Sequence, residues 1–236
     1  MNIEGNLIIS LLKLTKKGSV SHELINADAK IPSDVVRKLL RKMQSEGLLY
    51  LRRRMVEVDD SCRLKLAVRV ISLGADVEHV AGFLKWQEFE NMTTRALEQN
   101  GYFVRKNLRF RHAGGRWEID VVGCKRPMVV CIDCKHWRRG LHPSAIRRIV
   151  EAQVERTRNL ADFLPSPKHM IECASWDQTK FIPAILSLTL GNFKYYDDVP
   201  IVPVLQLQDF LSQLPAYVDA VKHFTKNMTG RLSGSV

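Results

Sequence analysis

Two apolar runs joined by a proline turn, from Arg116 to Trp137 (RWEIDVVGCKRPMVVCIDCKHW), restrict this chain more than any other stretch. Residues 117–122 alternate, with Trp117, Ile119 and Val121 on one side and Glu118 and Asp120 on the other. That is the period of a half-buried strand. After Lys125-Arg126-Pro127, a run rich in β-branched residues over 128–136 reads as a second strand, broken by Asp133 and Lys135. Two positions apart on a strand, these side chains point the same way, about 7 Å apart. Paired as a hairpin, the two strands bring Asp120, Asp133 and Lys135 to one face at neighbouring ends. Two carboxylates beside an ammonium make a seat for a hard divalent cation and a water.

Glu118-Ile119-Asp120 followed by Asp133-Cys134-Lys135 resembles the motif of the PD-(D/E)xK nucleases, the superfamily of restriction endonucleases and archaeal Holliday-junction resolvases. Upstream, Phe89-Glu90 opens a helix that ends at Asn100-Gly101-Tyr102, similar to the start of the Mrr-type branch. The resemblance covers about residues 86–175. Ile119 stands where many members carry proline, and Asp133 where close relatives have Glu or Gln. It implies Mg²⁺, with Mn²⁺ as a substitute, held by Asp120, Asp133 and the carbonyl of Cys134. Lys135 then orients or deprotonates the attacking water, and Glu90 and Glu118 support the site or hold a second metal. For Glu90 a salt bridge to Arg105 or Arg109 is the alternative. Several branches carry a glutamine on the following helix, where Gln153 stands; a satisfied core amide is the other reading.

The formal charge of +11 over 236 residues suits a polyanion, and nucleic acid is the first candidate. In the N-terminal part, helices over 3–14 and from Ser19 or Ser21 through Ile25 precede a third, capped by Ser33 and running to Glu46. Val36, Leu39, Leu40 and Met43 form its buried stripe, and Arg37, Lys38 and Arg41 its opposite face. Leu48 to Val58, with Arg52, Arg53 and Arg54 at its centre, reads as a two-stranded wing. This order looks like a winged helix-turn-helix, which implies DNA contact through the third helix and the wing. Solvated charge or protein docking are the competing readings.

The expected domains are therefore a winged helix over 1–60, connecting helices over 61–84, a nuclease domain over 85–224 and a disordered tail over 225–236. The expected fold class is α/β: a restriction-endonuclease-like αβββαβ core, its mixed sheet flanked by helices, behind a mostly α winged-helix domain. His136, Arg138 and Arg139 form a basic loop suited to phosphate. A helix is expected over 144–164, a fourth strand over 169–175, a helix over 181–190, a proline-interrupted edge strand over 195–204 and a closing helix from Phe210 to Val221. Five cysteines in no disulfide-like pattern, no signal peptide and no membrane-length apolar run point to the cytoplasm. Cys131-x-x-Cys134 is a poor zinc site, because residues three apart on a strand diverge. No glycine-rich phosphate loop or other small-molecule cofactor motif is present.

The functional expectation is a Mg²⁺-dependent DNA endonuclease acting as a homodimer. The alternatives are a DNA-binding regulator whose nuclease-like domain only dimerises, and a nuclease of RNA.

Overall fold

The computed structural model describes residues 2–134, 143–165, 171–188 and 194–228. It is mixed α/β, and the chain divides into two compact units between Met92 and Thr93. Among the described residues, no helix is long and apolar enough to cross a membrane.

The first unit begins with α1 (Ile3–Leu14), β1 (Val20–Ser21), α2 (His22–Ala29) and α3 (Ser33–Ser45). Short polar side chains start the first two helices: Asn2 accepts from the amide of Gly5 at 2.8 Å, and Ser21 from that of Leu24 at 3.3 Å. Ser33 does not cap α3 as expected. Pro32 precedes the helix, and the Ser33 hydroxyl accepts instead from Asn26 at 2.9 Å. Val36, Leu40 and Met43, spaced four and three apart, bury one stripe of α3. Two short strands follow, β2 (Tyr50–Arg52) and β3 (Met55–Glu57), and β1 adds to the outer side of β3.

Next come α4 (Asp60–Ser72), α5 (Val77–Ala81) and α6 (Trp86–Gln99), the last crossing the division between the units. Helix α4 is apolar around much of its circumference, yet Arg63 is buried in it. Its guanidinium donates to Glu88, to the Thr15 hydroxyl and to the Phe83 carbonyl, each at 2.6 Å. Glu88 is itself fully buried and also accepts from the Lys85 amide. The pair therefore ties the end of α1, α4 and the start of α6 together, with each guanidinium nitrogen making a hydrogen bond.

The second unit holds β4 (Phe103–His112), β5 (Gly115–Lys125), β6 (Met128–Cys134), α7 (Pro143–Phe163), β7 (Gln178–Ser187), β8 (Tyr195–Tyr196), β9 (Val199–Pro203), α8 (Leu207–Tyr217) and β10 (Phe224–Asn227). Its sheet runs β4-β5-β6-β7-β9-β8. Strands β4, β5 and β6 are antiparallel neighbours, whereas β6–β7 and β7–β9 are parallel. One face of the sheet receives α7, through a cluster that includes Val122, Cys131, Leu160 and Leu164. The other meets the second half of α6. A Cβ on Gly123 would stand 2.6 Å from Leu97, so only glycine permits that approach.

Four expectations are corrected here. Residues 181–187, expected to be helical, belong to β7, while residues 172–175 form a 3-10 turn instead of a strand. Strand β7 lies inside the sheet, between parallel β6 and β9 over its second half, with Phe181 to Leu188 all buried, so its apolar run lacks the alternation that marks a half-exposed strand. Residues 225–227, expected in a disordered tail, pair with β7 in β10. The closing helix ends at Tyr217, and a 3-10 turn takes its place over 218–220.

Candidate active site

Strands β5 and β6 are paired only as far as Val121 and Ile132. Beyond that point the Asp120 side chain replaces the backbone, its Oδ2 accepting from the Cys134 N–H at 2.8 Å. The Asp120 carboxylate thus sits against the peptide that joins Asp133 to Cys134. The regular alternation expected of β5 also breaks here. Ile119 and Val122, three apart, lie in one apolar cluster, and the pairing of β4 with β5 skips Asn107 and Asp120. Asn107 has φ +49°, a left-handed residue opposite Asp120 that lets the hairpin bend at that point.

Asp133 is buried, 3% exposed, on the α7 side of β6. Arg156 of α7 donates to its Oδ1 from Nη1 at 2.7 Å. Gln153, one helical turn earlier, is fully buried and donates to the Cys131 carbonyl at 2.8 Å. Its Oε1 accepts from Arg156 at 3.4 Å. Asp120, Asp133, Cys134 and Gln153 are therefore brought together around the end of β6. Arg156 joins them although sequence reasoning passed over it. The signal was present, since residues three apart on a helix share a side and Gln153 already stood in the buried stripe.

Glu118 is not drawn into this group. It is exposed and pairs with Arg109, Nε to Oε2 at 3.1 Å. Glu90 is buried and accepts from the indole of Trp86 on the same helix. Arg105, one of the partners considered for it, pairs with Glu172, and Arg109, the other, with Glu118. Lys135, His136, Arg138 and Arg139 lie outside the described residues.

The cysteines diverge as the strand period requires. Cys131 faces the α7 cluster, and Cys134 places its sulfur 3.7 Å from the Thr93 hydroxyl of α6. Contact with Cys173 and burial push the Cys124 thiol upward, and burial does the same to Cys131. Among the described residues, no three His, Cys, Asp or Glu side chains converge on a point that a metal could occupy.

In the first unit, Arg37 and Arg41 of α3 and Arg53 and Arg54 of the β2–β3 turn line one groove of about 590 Å³, with His22 and Asn26 of α2 on its wall. All four arginines are exposed, as are Lys38 and Arg52. Arg54 lies 3.9 Å from Glu23, and Arg52 3.7 Å from Glu57.

Residues 85–173 match the family model of the nuclease-related domain, NERD. The match supports a nuclease-like domain in that part of the chain, which contains Asp120, Asp133, Gln153 and Arg156. An uncharacterized protein of Archaeoglobus fulgidus is 27% identical over 139 residues, 57% of this chain and 95% of that protein. Among solved structures, a protein of unknown function is 20% identical, covering 42% of this chain and 45% of its own, with a TM-score of 0.25. A protein from Vibrio cholerae is 12% identical, covering 92% of this chain and 51% of its own, with a TM-score of 0.38. The chain matches about half the length of each of these two structures.

Proposed function

We propose that this chain is a metal-dependent DNA endonuclease whose first unit is a winged helix-turn-helix that holds duplex DNA. The observation that carries the proposal is the Asp120 carboxylate seated on the amide between Asp133 and Cys134, inside the segment that matches the nuclease-related domain. Asp120, Asp133 and the Cys134 carbonyl would hold Mg²⁺. A carboxylate offers two oxygens and about four lone-pair directions. The bonds from Cys134 N–H and from Arg156 therefore leave the donor chemistry compatible with a cation. With no cluster of three ligating side chains among the described residues, such a site suits Mg²⁺, which keeps several waters, better than Zn²⁺. The ion, when bound, lowers the pKa of a coordinated water and offsets charge on the transferring phosphate.

The chain's own residues do the rest. Arg156 and Gln153 fix Asp133 and the end of β6, so the two acids are pre-positioned. Lys135, next after Cys134, is the group to orient or deprotonate water. Glu90 is retained as a supporting acid, whereas the exposed pair of Glu118 with Arg109 speaks against a role for Glu118. Arg37, Arg41, Arg53 and Arg54, with Lys38 and Arg52 nearby, supply the positive groove that duplex phosphates require. His136, Arg138 and Arg139 would hold phosphate beside the cut. Cutting both strands calls for two copies, hence a homodimer.

One observation favours a second reading, a DNA-binding regulator without activity: a guanidinium already neutralises Asp133, as in an ordinary structural ion pair. Purified protein incubated with plasmid, linear and four-way-junction DNA, and with RNA, in Mg²⁺ or in chelator, separates the two. Metal-dependent cutting of DNA that Asp133→Ala abolishes while binding persists is the expected result. Tight DNA binding with no metal-dependent cleavage assigns the regulator, and cleavage confined to RNA overturns the choice of substrate.

A further inference from the structure

The tip of the β4–β5 hairpin carries a second basic feature, separate from the groove of the first unit. Arg111 of β4 and Arg116 of β5 are direct cross-strand partners, both exposed. Among the described residues neither forms an ion pair, whereas Arg109 beside them is offset by Glu118. Like charges opposite one another on a sheet are destabilising, so an anion between them would relieve repulsion built into the hairpin. These arginines share a cavity of about 630 Å³ with the Arg109–Glu118 pair and the rings of Phe110, Trp117 and Phe163. That is within the roughly 300–1,000 Å³ of small-ligand sites.

The rings are held in place before any ligand arrives. The Phe110 and Phe163 centroids are 5.2 Å apart. The Trp117 indole donates to the His112 carbonyl at 3.1 Å and lies where a Cβ on Gly115 would stand, 2.9 Å away. Trp117 and Phe163 are only half-buried, which leaves aromatic surface within reach of a ligand.

Aromatic faces beside uncompensated guanidinium groups are the chemistry that takes an unstacked base with its phosphate. In a duplex each base face is covered by its neighbours, so the cavity fits a single strand. We infer that it binds single-stranded DNA, one base against the rings and the backbone passing round the hairpin edge to Arg111 and Arg116, which the pleat sets on the other face. Trp117 is three residues from Asp120 on the same strand, about 10 Å away, so a strand held there continues toward the acids. The inference rests on the proposed DNA nuclease activity and names the form of substrate that the site engages.

The test uses the full chain in chelator, so that no cutting intervenes. The probes are a labelled oligothymidylate, thymidine monophosphate and a mixed-sequence duplex. The Arg111→Gln/Arg116→Gln double variant and Trp117→Leu are each expected to bind the oligothymidylate about tenfold more weakly, with duplex binding unchanged. The double arginine variant also melts no lower than the parent, which separates lost binding from lost folding. Unchanged oligothymidylate affinity in the arginine variant overturns the inference. So does the mononucleotide binding as tightly as the oligomer, which would make this a nucleotide pocket. A parent protein that binds neither single nor double strand overturns the proposed function itself. A parent that binds both, with only this site's variants silent, sinks the cavity alone.

Discussion

Arg53 has φ +55° in the two-residue turn between β2 and β3, a conformation that glycine adopts freely and other side chains reach at a cost of about 1 kcal/mol. A strained arginine on the wall of a basic groove is placed for contact more than for stability. Arg53→Gly is therefore expected to hold or raise the denaturation midpoint while weakening duplex binding. The slope of log affinity against log salt should fall by about 0.9, the value of one phosphate contact. Parallel melts and salt titrations of the two proteins check this. At this level the sequence showed the charged positions well, because arginines on a helix or in a turn need no tertiary information to be counted. It showed their pairing poorly. Arg156 was passed over because a long, flexible side chain at the border of a helix's wet face reads as solvated until the strand carrying Asp133 is packed beneath it.

Helix α6 approaches β5 closely because Gly123 has no side chain. Gly123→Ala is expected to cost about 1–3 kcal/mol by overpacking against Leu97, and Leu97→Ala in the same chain should cost less than the sum of the single changes. A double-mutant cycle by urea melts measures the coupling. The buried pair of Arg63 with Glu88 makes the matching case between helices. Glu88→Ala strands a guanidinium that is 2% exposed, with an expected loss of about 3–5 kcal/mol by the same melts. The Arg63→Met/Glu88→Leu double variant should recover most of it. These elements differ in how far the chain announced them. The β5–β6 hairpin was legible because the sequence of its first strand alternates over 117–122 and a proline turn divides the runs. The break at Asp120 was not, since it depends on the left-handed Asn107 of the neighbouring strand. Strand β7 was misread because the run from Phe181 to Leu188, buried on both faces, carries no period, and Pro183 near its start is as compatible with a helix as with a strand.

All five cysteines are buried, and burial together with Asp59 holds the Cys62 thiol up to about 11. At pH 8 the native protein should show almost no reaction with a thiol reagent in the first minutes, and all five thiols on addition of denaturant. The unfolded Cys62 ionises first, around its ordinary value of 9.0. The stability it contributes is thus present below that pH and is lost as the pH climbs toward 11.

The two units also differ in how much chain each needs. The small sheet of the first is complete once residue 57 has been made. In the second, β10 lies along the first half of β7 while β9 takes its second half, so the sheet closes only with residues 224–227. Lys226 on that last strand donates to the carbonyls of Ala161 and Asp162, anchoring the end of α7. At about 5–20 residues per second, a ribosome takes on the order of ten seconds to travel from the first unit to this strand. A nascent chain would accordingly carry a finished basic groove well before the sheet that bears Asp120 and Asp133 is complete.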